Sequence, residues 1–178
     1  ITLYNEKMAA PVIMDSSYEG SEENQYAERS YRQIARAVTD LRQDIAMVTG
    51  AIDDSEIQAM FDDNTEDEKE RLEMADASKV PDFVTDTTNL NADCAIIVGT
   101  IDDSPMIKKL MDSGKLEEAK SLKGVWEGYV IKQVKNPVDG VGNALVIAGS
   151  DARGTIYGIY TVSEAIGVSP FYWYSDVP

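Results

Sequence analysis

The chain has 178 residues, 43% hydrophobic and 27% charged, the composition of one globular domain with a sizeable core. Its 16 Lys and Arg against 32 Asp and Glu give a formal charge of −16, which disfavours nucleic acid and anionic membrane surfaces as partners but leaves room for a locally positive site. There is no histidine, so His-dependent triads, His–metal sites and His proton shuttles are excluded within this chain. The single cysteine, Cys94, opens an apolar run and reads as core filler without an intrachain disulfide partner.

No apolar stretch is long enough to span a bilayer, and no basic and apolar leader is visible. Residues 1–11 read as an irregular lead-in, and residues 11–14 as a short apolar strand followed by a polar turn over 15–20. Residues 22–49 carry the clearest helical pattern. Ile34, Val38, Leu41, Ile45 and Val48 step by four, three, four and three, with Arg32, Arg36, Asp40 and Asp44 placed on solvated faces and Gly50 as the stop. Residues 51–93 are strongly acidic, with a loop from Pro81 to Asn91, and read as an insertion. Their carboxylates lack the spacing of a calcium loop, so no metal site is assigned.

Residues 94–98 form a second buried strand. Ser104 and Pro105 have the N-cap and first-turn order of a helix whose buried face is Ile107, Leu110 and Met111, and residues 116–122 add a further helical turn. Residues 126–134 alternate imperfectly as a strand. A short turn over 136–142 leads to an apolar strand at 144–148, which favours an antiparallel hairpin. Gly149 breaks that strand. Ser150 and Asp151 are N-cap types, and Ile156, Ile159, Tyr160, Ser163 and Ile166 mark one helix face, with Gly167 as its stop. This order predicts an α/β fold: a small two-layer mixed β-sheet with packed helices, in one domain over residues 1–178.

Two readings of the 149–154 turn stand side by side. Ser150, Asp151, Arg153 and Gly154 sit where a strand ends and a helix begins, a place suited to anions and polar ligands. Alternatively, Asp151 caps the helix and Arg153 pairs with a surface carboxylate. Tyr172, Trp173 and Tyr174 likewise either stack on sugar rings, as a carbohydrate-binding module would use them, or pack against protein.

The run Ile147-Ala-Gly-Ser-Asp-Ala-Arg-Gly-Thr-Ile-Tyr-Gly-Ile-Tyr160, with Ile166-Gly-Val-Ser-Pro-Phe-Tyr-Trp-Tyr-Ser-Asp-Val-Pro178, closely resembles the end of the N-terminal domain in glycoside hydrolase family 115, the xylan α-1,2-glucuronidases. The resemblance extends to Ile97-Val-Gly-Thr-Ile-Asp-Asp-Ser-Pro-Met-Ile107 and Lys123-Gly-Val-Trp-Glu-Gly-Tyr-Val-Ile131, and more weakly to residues 37–50. The Arg-Gly-x-x-Tyr-Gly core alone is looser and is similar in the accessory domains of hexosaminidases and family 67 α-glucuronidases.

The resemblance implies a non-catalytic accessory domain ahead of a (β/α)8 barrel lying after residue 178. The parent enzyme would remove (4-O-methyl)glucuronic acid from xylan by inverting hydrolysis. Such hydrolysis uses two carboxylates about 6.5–9.5 Å apart, and the family's pair belongs to the barrel, so no catalytic residue is assigned here. The implied partners are that barrel and glucuronoxylan or its oligosaccharides, with no cofactor, no nucleic acid and no membrane. A homodimer of the parent enzyme is left open, and the family implies a secreted or periplasmic location.

Overall fold

The computed structural model describes residues 4–5, 8–14, 25–50, 81–85, 87 and 90–169. Its centre is a five-stranded mixed sheet. β1 (Tyr4–Asn5) and β2 (Met8–Ala9) form a small antiparallel ladder of their own within the stretch expected to be irregular. The main sheet contains β3 (Val12–Met14), β4 (Phe83–Val84), β5 (Ala92–Thr100), β6 (Tyr129–Lys135) and β7 (Val141–Gly149) in the order β4-β3-β5-β7-β6. β3, β4, β5 and β7 run parallel, while β6 returns antiparallel to β7 as the expected hairpin. β4 lies inside the stretch read as loop. Phe83 and Val84 pair with Val12 and Ile13, so this edge strand is held by β3 rather than by a hydrophobic run of its own.

Alternation along the strands divides the core in two. Val12, Met14, Ile96, Val98 and Ile147 face α1 (Gln25–Val48) and α3 (Ala152–Ala165). Ile13, Ala95, Ile97, Val146 and Ala148 face the opposite way, toward α2 (Pro105–Asp112) and a 3-10 turn over Glu117–Leu122. The expected α/β sheet with packed helices is therefore present, and the short α2 and 3-10 turn add cover on the second face. β5 and β7 are buried on both sides because both layers press on them, which explains their continuous apolar runs.

Helix ends follow their local chemistry. Ser104 Oγ accepts from Ile107 N–H with Pro105 in the first turn, as the sequence order implies. At the end of α3, Gly167 takes a φ of 111°. Its N–H donates to Glu164 and Val168 N–H donates to Ser163, so the last carbonyls are satisfied by a glycine-dependent cap.

Two sequence expectations shift. The strand expected from residue 126 starts at Tyr129, because Glu127 adopts a φ of 56° and turns the chain out of the sheet. The buried face of α3 is rotated from the one drawn by its large side chains. Gly154, Thr155, Gly158, Ile159, Val162 and Ser163 are buried, whereas Tyr160 is 46% exposed.

Gly154 and Gly158 explain the rotation: they let the helix backbone close onto the hairpin. A Cβ at 154 would overlap the Gly128 carbonyl oxygen, and one at 158 would come within 2.7 Å of Ile147 Cγ2. Gly154→Ala is accordingly expected to destabilise the domain by about 1–3 kcal/mol through overpacking, although the same change in an open helix stabilises by roughly 0.5–1 kcal/mol. Urea denaturation measures it, and a neutral or stabilised variant would refute this close approach.

Candidate functional site: the β7–α3 turn and its clamped loop

Ser150, Asp151, Arg153 and Gly154 come together at the end of β7 and the start of α3. Asp151 is the N-cap, and its Oδ1 accepts from Gly154 N–H at 2.8 Å. Its Oδ2 accepts from Glu127 N–H at 2.9 Å and from Ser150 Oγ at 3.4 Å. Ser150 Oγ in turn accepts from Gly128 N–H at 3.0 Å, while Ser150 N–H donates to Gly128 O at 2.8 Å. Two segments 22 to 24 residues apart in sequence are thus tied by three hydrogen bonds, and the Ser150–Asp151 bond braces one side of them. The left-handed backbone of Glu127, costly for a non-glycine residue, is held by the first of them.

Arg153 lies outside this knot, its side chain 67% exposed. It pairs with Glu127 Oε1 at 2.9 Å, donates to Tyr157 Oη at 3.0 Å and lies 5.9 Å from the Tyr157 ring centre. Burial acts to raise the Asp151 pKa, but the amides of Gly154, Glu127 and Arg153 and the Ser150 hydroxyl outweigh it, so the carboxyl stays below its ordinary value and ionised at neutral pH. The turn is a helix cap and a loop clamp, with Arg153 as its solvent-facing member. Glu127 reads as a strand position in the sequence; its partnership with Asp151 spans 24 residues and has no local signature. Tyr172, Trp173 and Tyr174 lie outside the described residues, as do residues 51–80 of the acidic insertion. Among the described residues, no three carboxylate or cysteine groups gather as metal ligands would.

A second polar cluster lies between α1 and α3, where sequence reading placed only solvated charge. Asp44 is 4% exposed, and its neighbour Ser163 has a buried hydroxyl that completes no well-formed hydrogen bond. Burial raises the Asp44 pKa to about 6, opposed by the Ser163 hydroxyl and reinforced by the charge of Asp40. Asp40 accepts from Tyr160 Oη at 2.7 Å, which with burial holds the phenol protonated. Asp44 is three residues past Leu41 and seven past Ala37, both buried, so it falls on the apolar side of α1. Val48, expected in the buried stripe, is instead 47% exposed at the helix end.

Residues 78–162, which include the clamp, match the family described as Glycosyl hydrolase family 67 N-terminus. The span begins inside the stretch read as an insertion and so takes in β4. Among solved structures the chain is similar to a family GH115 4-O-methyl-α-glucuronidase, BtGH115A, whose specificity is for decorated arabinogalactans. The similarity has a TM-score of 0.53 and 24% identity, and covers 96% of this chain but 15% of that one. No curated protein sequence matches. Residues 78–162 are therefore similar to a glycosyl hydrolase N-terminal segment, and the chain shares its fold with part of an α-glucuronidase.

The Asp44 geometry fixes a pH dependence. Its folded pKa is raised, so its stabilising contribution is complete below the unfolded value of 3.8 and is lost as pH rises through about 6. Asp44→Asn should therefore be more stable than the parent at pH 8, by on the order of 1–3 kcal/mol, with the difference shrinking toward pH 4. Denaturant midpoints at the two pH values measure this; equal differences at both would refute the buried, uncompensated carboxyl.

Proposed function

We propose that this chain is the N-terminal, non-catalytic domain of a family 115-like glycoside hydrolase that releases (4-O-methyl)glucuronic acid from polysaccharide side chains. The observation that carries the reading is the agreement of two comparisons on glycosidases: the family 67 N-terminal segment over residues 78–162 and the glucuronidase fold over 96% of the chain. The chain spans only 15% of BtGH115A, which accords with a catalytic barrel elsewhere in the parent polypeptide. The site chemistry supports a scaffolding role. The Asp151 carboxylate and the Ser150 hydroxyl are engaged with their own backbone and with each other, leaving Arg153 as the group able to reach outward. In this reading the domain docks on the barrel with the 149–154 turn toward the cleft. Arg153 then helps hold the sugar carboxylate or fixes a barrel loop. The parent enzyme is secreted or periplasmic.

Xylan is the substrate implied by the sequence resemblance, and decorated arabinogalactan is the one associated with BtGH115A, so both polymers belong in the assay. The 178-residue chain alone should release no glucuronic acid from either, and the complete gene product should release it from at least one. Release by the short chain would overturn the non-catalytic assignment, and silence from the complete product on both polymers would overturn the glucuronidase assignment. In the complete protein, Arg153→Ala should reduce kcat/KM at least tenfold with an unchanged melting temperature. Unchanged kinetics would remove Arg153 from the vicinity of the cleft.

A further inference from the structure

Six large hydrophobic side chains are exposed among the described residues, and four of them lie on the loop into β6 or on the part of α3 bonded to it: Val125, Trp126, Tyr129 and Tyr157. Trp126 is 87% exposed, yet it rides on a loop bonded at its next two residues to the start of α3. The next residue, Glu127, is held in the left-handed region by Asp151, and Gly128 is pinned to Ser150 from both sides. A connected series of contacts runs from this loop across α3. Glu127 meets Arg153, Arg153 meets Tyr157, and Thr161 bonds both the Tyr157 carbonyl and the Tyr129 hydroxyl. A tryptophan fully in water gains nothing for the folded domain, and backbone strain beneath it needs a compensating role.

We infer that this Trp126 surface is the face by which the domain seats on a protein surface, the barrel of the same polypeptide. The inference rests on the accessory-domain reading above and adds which face docks. Two observations select protein over sugar. The surface is rich in Trp, Tyr and Arg, the residue types that anchor protein interfaces. Several of its polar groups already meet within the patch: Arg153 with Glu127 and Tyr157, and Tyr129 with Thr161. Covering them leaves each with a partner and leaves the remaining Arg153 N–H groups to bond the docked surface, whereas a sugar needs polar groups aimed at it beside the stacking ring. The occupant follows from size: the same fold makes up 15% of BtGH115A, so most of that enzyme lies outside it.

Hydroxyl-radical footprinting, read residue by residue, compares the 178-residue chain with the complete gene product. Trp126 oxidation should fall at least tenfold in the complete protein, with Tyr129 and Tyr157 following, while Tyr160 on the α1 side keeps its rate. In the complete protein carrying Trp126→Ala, Tyr129 and Tyr157 should recover most of the lost oxidation. Protection of Tyr160 without Trp126 would show docking through another face, overturning this inference and leaving the accessory-domain reading intact. Equal oxidation of all these residues in both proteins would overturn the inference and the docked-domain reading together. Protection of Trp126 in the short chain alone, whether by glucuronoxylan oligosaccharides or by raising its own concentration, would assign the surface to sugar or to a second copy instead.

Discussion

One carboxylate holds together the part of the fold that faces outward. Asp151 gives one oxygen to the first turn of α3 and the other to the amide of Glu127. The first bond sets where the helix begins; the second fixes a loop that would otherwise pay for its left-handed residue without support. Because α3 also lies on the β6–β7 hairpin through Gly154 and Gly158, the cap, the loop and the helix–sheet contact constrain one another. Removing the carboxylate would loosen all three.

The two perturbed aspartates among the described residues pull stability in opposite directions with pH. Asp151 is accepting hydrogen bonds as an anion, so its contribution is present at neutral pH and lost as pH falls through its lowered pKa. Asp44 is buried between α1 and α3 with no cation paired to it among the described residues. Its contribution is present in acid and lost as pH rises through about 6. The difference is one of hydrogen-bond supply. The β7–α3 turn offers Asp151 the orphan amides of a helix start, whereas the C-terminal part of α1 offers Asp44 a neighbouring hydroxyl and the like charge of Asp40.

Local chemistry was legible in the sequence wherever a large or a capping side chain carried it. The apolar steps of Ile34, Val38, Leu41 and Ile45, the Ser104-Pro105 helix start, the Asp151 cap and the β6–β7 hairpin all appear as expected. What escaped shares a physical cause: the information lay in an absence or in a distant partner. Gly154 and Gly158 direct α3 onto the sheet by having no side chain, and a count of hydrophobic positions passes over them. β4 is too short to show a pattern and exists through its pairing with β3. Trp126 looked like a strand residue because aromatic content favours strands, yet Glu127 breaks the extension through a bond to Asp151. Asp44 reads as solvated by its charge, although its spacing from Ala37 and Leu41 places it inward.

The candidate site was legible as a location but not as a chemistry, and the reason bears on function. A strand end meeting a helix start can either reserve its amides and polar side chains for a ligand or use them within the protein. Here the inward set is used: the Asp151 oxygens and the Ser150 hydroxyl all have partners within the chain. A catalytic carboxylate needs a proton to exchange and room for substrate or water, and Asp151 is instead saturated with donors that hold it ionised. The effect of that saturation is mechanical. It converts a flexible connection into a rigid mount for Trp126, with Arg153 beside it and its charge met by Glu127. Rigid presentation of a large apolar side chain lowers the entropy cost of association, which is of value to a domain that must be seated on another body and of little value to one working alone.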